Sequence, residues 1–325
     1  MNSLKSLLPN FFKGMAMGMA EVVPGVSGGT IAFITGIYER ILRVISNIRP
    51  GLIELWKTEG FKAVLAKLDI RFLILLISGM VSGIVLGVFG VSYLLENFPP
   101  VIWSFFFGLI VASSIYMLTQ IEEWSWGKLT LLVLGILVAY GITILSPATG
   151  NPALWFVFLS GAIAITALIL PGISGSFILL LMGMYELILG NVKNALSSFD
   201  LDSILVVIVF ALGCLTGLFS FANLMRWTFN KYKAYTIAVL TGFMIGSLNK
   251  IWPWRNVLTY RVSSNGDSKP MKEVNVLPNG YESEPLVVFS ILSFILALAL
   301  VYFLVKNDKS GQTEPSTSEI QNQTA

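Results

Sequence analysis

Two short segments carry the residue types best suited to holding an anion: Pro24-Gly25-Val26-Ser27-Gly28-Gly29-Thr30 and Pro171-Gly172-Ile173-Ser174-Gly175-Ser176. A Pro-Gly turn that opens a helix leaves the first N–H groups of that helix without intrahelical partners. Glycines let a ligand approach the backbone, and the hydroxyls of Ser27, Thr30, Ser174 and Ser176 add donors. The positive end of a helix dipole favours an anion at such a place. Neither segment contains Lys or Arg, so backbone dipoles and hydroxyls would do the holding, with Arg40, Arg226 and Lys250 nearer the surfaces. Those three read first as positive-inside or snorkelling residues. The substrate-binding candidates are Ser27, Gly28, Gly29, Thr30, Ser174, Gly175, Ser176 and Arg40.

Glu21 lies three residues before Pro24. An acid at membrane depth is a functional candidate by default. Beside an anion it must be protonated or bridged by a cation, which points to proton or sodium coupling. The competing reading is a carboxyl hydrogen-bonded to free N–H groups of the facing hairpin. Pro24, Gly25, Pro171 and Gly172 are the candidate hinges, and Tyr38-Glu39 and Tyr185-Glu186 read as interfacial residues ending the second half-helices, with a gate role open to them.

Other chemistry is excluded by composition. The chain has no histidine, and Cys214 is its one cysteine, so a Ser-His-Asp triad, a disulfide framework and a Cys/His metal site are all ruled out. No metal or cofactor is expected.

The elements that must position these residues are membrane helices. Of 325 residues, 55% are hydrophobic and 12% charged, about half the charge of a soluble domain. The mean hydropathy is +0.78. The net charge of +3 resides in loops, which speaks for membrane orientation and against a nucleic-acid partner. Six apolar stretches, 72–95, 101–120, 129–146, 204–225, 234–251 and 286–305, are long enough to cross about 30 Å of hydrocarbon. Segments 11–38 and 153–189 are interrupted by Pro-Gly. As one helix the second would be ~55 Å long, so a hairpin that enters, turns and leaves on one side fits better. Each arm of the first hairpin is expected to run ~13–15 residues, reaching mid-bilayer. Counts of basic residues barely separate this arrangement from one with eight full crossings. Residues 51–68 read as one amphipathic helix on the cytoplasmic surface, 252–285 as a long external loop, and the tail from Asn307 as disordered.

The two Pro-Gly segments are copies. From 24–42 to 171–189 ten of nineteen positions are identical, including Gly36 with Gly183, Tyr38 with Tyr185 and Glu39 with Glu186, at a shift of 147. Gly79, Gly83 and Gly108 recur as Gly213, Gly217 and Gly242 at a shift of 134. The predicted fold is therefore an all-α polytopic membrane protein of two inverted repeats, each a re-entrant Pro-Gly-broken hairpin followed by three spans. The first repeat covers 1–150 and the second 151–306, with a cytoplasmic tail at 307–325. Inverted repeats with broken helices at matching positions are the common plan of secondary transporters, whose site lies where the breaks meet.

Several motifs carry a family resemblance over residues 10–306: Glu21-Val22-Val23-Pro24-Gly25-Val26-Ser27-Gly28-Gly29-Thr30, Gly36-Ile37-Tyr38-Glu39-Arg40, Leu170-Pro171-Gly172-Ile173-Ser174-Gly175-Ser176, and Gly246-Ser247-Leu248 through Lys250-Ile251-Trp252-Pro253-Trp254. They resemble the bacterial membrane family catalogued as domain of unknown function 368, regarded as polyprenyl-phosphate transporters. The resemblance implies return of undecaprenyl phosphate from the outer to the inner leaflet of the cytoplasmic membrane for cell-wall synthesis. With both hairpins re-entrant the two termini are expected to be cytoplasmic, and the absence of histidine argues against an enzymatic step. Two alternatives stand beside it. One is a small-anion channel or exchanger, since paired half-helix ends also suit a bare ion. The other is an undecaprenyl-diphosphate phosphatase, whose Pro-Gly-x-Ser-Arg-Ser signature is similar; Gly28 and Gly175 stand at its arginine position, removing the cation that would clamp a diphosphate.

Overall fold

A computed structural model of the protein describes residues 4–23, 26–262 and 268–307. Pro24, Gly25 and the tail from 308 onward, all part of the sequence reading, lie outside the described residues. The chain order is α1 (Leu4–Glu21), α2 (Gly28–Ile34), α3 (Tyr38–Asn47), α4 (Gly51–Glu59), α5 (Phe61–Lys67), α6 (Ile70–Asn97), α7 (Pro99–Thr119), α8 (Trp126–Ile144), α9 (Leu154–Ile169), α10 (Gly175–Leu181), α11 (Tyr185–Ser197), α12 (Leu201–Ser247), β1 (Arg255–Val262), β2 (Ser268–Asn275) and α13 (Val287–Asn307).

Among the described residues α6, α7, α8, α12 and α13 are long and apolar enough to cross a membrane. The 47-residue α12 would measure ~70 Å if straight, more than two hydrocarbon thicknesses. Its helix breaks at Tyr232 (φ −137°, ψ 45°), between Lys231 and Lys233, so two limbs serve the two expected spans. The molecule is a polytopic, mostly helical membrane protein.

Glycine lets the backbones of neighbouring helices touch. A Cβ on Gly79 of α6 would strike the Phe11 carbonyl of α1, and one on Gly83 that of Met15. In the second half Gly213 of α12 meets the Phe158 carbonyl of α9 and Gly217 that of Ala162. Phe11 to Phe158 is a shift of 147 and Gly79 to Gly213 one of 134, so the repeated glycines make repeated contacts. Small residues are the usual means of close helix approach where no hydrophobic force drives association. Beyond this pair of contacts the halves interlock. Gly108 of α7 packs on Phe294 of α13, and Gly242 of α12 on Leu132 of α8, so the second span of each half lies along the third span of the other.

The two short helices end near opposite ends of α8. After α2 the chain reaches Glu39, paired with Lys233 at the elbow of α12, near which Lys128 at the start of α8 lies over Tyr235. Helix α10 ends at Leu181, whose carbonyl accepts from Ala148 N–H just beyond the far end of α8.

Four expectations change. The hairpin arms are unequal: α1 has 18 residues and α9 has 16, but α2 and α10 have 7 each. The short arms end at Gly36 (φ +70°) and Gly183 (φ +68°), where Ile37 N–H bonds to the Ala32 carbonyl and Met184 N–H to that of Leu179. A left-handed glycine with this pairing is a helix stop. For the same reason Tyr38 and Tyr185 begin α3 and α11 rather than ending the half-helices. The surface segment is two helices, α4 and α5, parted at Gly60 (φ +83°). The 252–285 loop contains an antiparallel hairpin, β1 with β2, a two-stranded exception to an all-α chain.

If the glycine seams set the helix spacing, Gly213→Ala destabilises by about 1–3 kcal/mol through overpacking. Gly141→Ala, with open space beyond its Cβ, stays near wild type. Thermal unfolding of the detergent-solubilised protein reads the difference.

Candidate functional site

The two breaks touch. Thr30 Oγ1 accepts a hydrogen bond from the Gly172 N–H at 2.9 Å, and Ser27 Oγ donates to the carbonyls of Leu170 (3.3 Å) and Leu168 (3.4 Å). Gly29 lies so close to the end of α9 that a Cβ would stand 2.8 Å from the Ile169 carbonyl. Backbone groups freed by a break at membrane depth need partners from protein. Here the first tip supplies them to the second.

The first tip is closed by its own side chains. Glu21 Oε1 accepts from Gly28 N–H at 2.7 Å, and Ser27 Oγ accepts from Gly29 N–H at 3.1 Å. At the other end of α2, Lys13 Nζ donates to the Thr35 carbonyl at 2.5 Å. Acid at the start and ammonium at the end both complement the helix dipole. Glu21 thus bonds the second arm of its own hairpin rather than the facing one, and the hydroxyls of Ser27 and Thr30, 0% and 1% exposed, are engaged across the contact between tips.

The second tip is open. The positions matching Glu21 and Lys13 are Leu168 and Ser160, so neither charge recurs. Ser174 does not cap α10; its Oγ pairs with Ser176 Oγ at 2.9 Å, which leaves one proton of the two hydroxyls for another acceptor. Gly172 holds φ +84° against α12, where a Cβ would stand 2.8 Å from Met244 Cα.

Two cavities flank this turn. One, of about 660 Å³, lies inside the elbow of α12, between Phe221, Met225 and Thr228 on one limb and Val239, Leu240 and Phe243 on the other, and reaches Leu170. Its walls are nearly all apolar, and the hydroxyls of Thr228 and Thr236 are bonded to carbonyls of their own helix. The other, of about 10 Å³, lies one to two turns further along α12; Ala139, Ile142, Ile173 and Phe177 form its apolar walls, and Thr143, Ser174, Ser247 and Lys250 bring polar groups to it, the Ser247 hydroxyl being bonded to the Met244 carbonyl. Lys250 Nζ sits 4.9 Å from the Phe177 ring centre. It also contacts Glu273 Oε2 of β2 at 3.3 Å, an oxygen that Arg255 of β1 reaches at 2.9 Å. Burial pushes the Arg255 guanidinium below its usual range, an effect that Glu273 opposes.

Of the predicted residues, Ser27, Gly29 and Thr30 come together with Gly172, and Ser174, Gly175 and Ser176 lie next in chain to that turn. Arg40 does not join them: its guanidinium is held by Asp69 at 2.6 Å over the Phe72 ring at the start of α6. Tyr38 is buried between Phe33 and Phe229, and its hydroxyl has no partner among the described residues. Tyr185 and Glu186 start α11, which bends 107° from α10. Lys250, Ser247 and Thr143 were not placed at the site by sequence reasoning. The signal existed in the Gly246-to-Trp254 motif, but a lysine at a span end reads equally well as snorkelling.

The site is a contact between two hairpin tips in a membrane bundle, flanked by one apolar cavity and one small cavity that bears a lysine. The match to known proteins is correspondingly specific. Residues 17–269 match the family described as "VCA0040-like: Undecaprenyl phosphate translocase-like". The polyprenyl-phosphate transporter of Vibrio cholerae serotype O1 is 46% identical over 303 residues, covering 92% of this chain and 96% of that protein. The polyprenyl-phosphate transporter of Staphylococcus aureus is 28% identical over 259 residues, covering 75% and 86%. The chain belongs to the undecaprenyl phosphate translocase-like family. No solved structure matches it.

The contact between the tips has a direct test. Thr30→Val keeps the side-chain shape but strands the Gly172 N–H, and is expected to cost about 1–3 kcal/mol in thermal unfolding, whereas Thr30→Ser retains most of the stability.

Proposed function

We propose that the protein is a non-enzymatic carrier that moves polyprenyl phosphate between membrane leaflets. The head group enters the small cavity beside Ser174, and the start of the tail lies in the apolar cavity of the α12 elbow. The observation that carries this reading is the placement of those cavities on either side of one turn, Pro171–Gly172, along one helix. An amphiphile is polar at one end and apolar along the rest, and the pair of cavities has the same order. The names of the Vibrio cholerae and Staphylococcus aureus relatives support the same substrate.

The finer mechanism belongs to the same proposal. The repeats 1–150 and 151–306 are inverted in the membrane, supported by short helices that end near opposite ends of α8 and by the matched glycine contacts. The side bearing Arg40, Arg43, Arg49, Lys128, Lys231 and Lys233 is cytoplasmic, by the bias of basic residues toward that side. The β1–β2 hairpin is then external, and both termini are cytoplasmic. Substrate is picked up from the outer leaflet and released to the inner one by alternating access, in which the open second tip moves against the charge-capped first tip. Glu21 couples the movement to a proton or sodium ion, because its carboxylate occupies the N–H group of Gly28 at the contact between hairpins.

The decisive assay follows undecaprenyl phosphate between leaflets of liposomes carrying the purified protein. Wild type is expected to accelerate the movement. Ser174→Leu, which fills the small cavity, and Val239→Trp, which fills the apolar one, should each slow it at least tenfold without loss of folded protein. Chloride flux with no lipid movement would overturn the reading in favour of a small-anion pathway. Glu21→Gln keeps an acceptor for Gly28, so it should fold normally yet lose the pH or sodium dependence of transport; an unaltered dependence removes the coupling role.

A further inference from the structure

We propose that Lys250 is the cation that receives the phosphate of the lipid, and that Glu273 of β2 holds its ammonium until the phosphate takes over. This rests on the polyprenyl-phosphate reading above and names the residue that reads the head group. Lys250 lines the small cavity together with Ser174 and Ser247, and its ammonium packs on Phe177 three residues beyond Ser174. The side chain is only 25% exposed.

Among the described residues the cluster has more positive than negative charge. Lys250 and Arg255 contribute two positive charges and Glu273 one negative, leaving an excess of one. A single carboxylate oxygen serves both cations, and it is closer to Arg255 (2.9 Å) than to Lys250 (3.3 Å). Arg255 is further fixed by donating to the Lys250 carbonyl at 2.8 Å and by stacking over Trp103 at 4.2 Å. Its Nε is buried without a partner among the described residues. Partly buried excess charge is costly unless an opposite charge completes it, and a phosphate would do so. If Lys250 lets go of Glu273, Arg255 still neutralises that carboxylate, so no buried anion is stranded. The long flexible stem of lysine suits this exchange better than the planar, doubly anchored arginine.

The cavity of about 10 Å³ is the size of one water, so a phosphate fits only when the Lys250 side chain swings. The contact with Glu273 therefore competes directly with the substrate. The unengaged proton of the Ser174–Ser176 pair is then available as a second donor.

The experiment compares binding of undecaprenyl phosphate and undecaprenol, which share a tail and differ in the phosphate, to the full chain in lipid nanodiscs. Wild type should favour the phosphate at least tenfold. Lys250→Gln should erase that preference while leaving undecaprenol binding unchanged, and Lys250→Arg should restore most of it. Glu273→Gln, which removes the competitor, should tighten undecaprenyl phosphate severalfold and leave undecaprenol alone. A preference that survives Lys250→Gln overturns the proposal and leaves lipid transport standing. So does a Glu273→Gln protein that loses both lipids equally along with thermal stability, since a purely structural ion pair would behave so. Wild type with no preference removes the transport reading, and this proposal with it.

Discussion

Backbone polar groups at membrane depth must find partners, and in this protein the hydrogen bond from Gly172 N–H to Thr30 Oγ1 joins the two places where that demand is greatest. Each hairpin break leaves helix-end backbone groups in need of partners. Ser27 and Thr30 answer the break in the other hairpin, while Glu21 answers the one in their own. Once the tips are joined, the long arms α1 and α9 are located, and the glycine seams carry that placement outward to α6 and α12. The cavities at the second tip exist because Gly172 presses its backbone onto Met244 and divides the space along α12.

The halves repeat in backbone and differ in chemistry. The first hairpin is pinned at both ends of α2 by charged side chains, and every residue of that short helix is buried. The second has no such pins, and α10 is only partly covered. The repeat thus supplies two similar hairpins, of which the second keeps the exposed Ser176 and has a lysine nearby. A symmetric pair of anion sites would give neither an orientation to an amphiphile nor a place for its tail. At the elbow near Tyr232 both limbs of one long helix face the same apolar space.

Much of this was legible in the sequence because the membrane restricts the alternatives. Six spans and two broken segments follow from hydropathy and Pro-Gly alone, and the repeated glycines marked the duplication, although the helix faces they join appear only in the structure. Turn chemistry was harder to read. Gly36 and Gly183 stood out as repeated residues, yet their role as left-handed helix stops, which makes the return arms only two turns long, depends on a backbone angle. Gly60 divided the surface helix for a similar reason. The serine and threonine of the first tip looked like ligand donors because their partners, carbonyls 141 and 143 residues away and an N–H 142 away, are invisible to local pattern. Lys250 was passed over because its neighbours at the site come from α8, α10 and β2, none of them close in sequence.

The crossed pairing of later spans has a bearing on how such a chain is made. Helix α7 lies along α13, the last described element, and α8 lies along the second limb of α12. During synthesis the first three spans are therefore present long before two of them have their partners. The glycine faces of Gly108 and Gly135 must wait in lipid or against other proteins until residues 230–300 emerge. A ribosome arrested at the midpoint would leave half a protein with no finished surface, so the two halves are one folding unit although each carries a full copy of the motif. Fusion of the ancestral copies would have tied that wait to a single chain, replacing an encounter between two molecules in the membrane with a closure set only by the time needed to translate the second half.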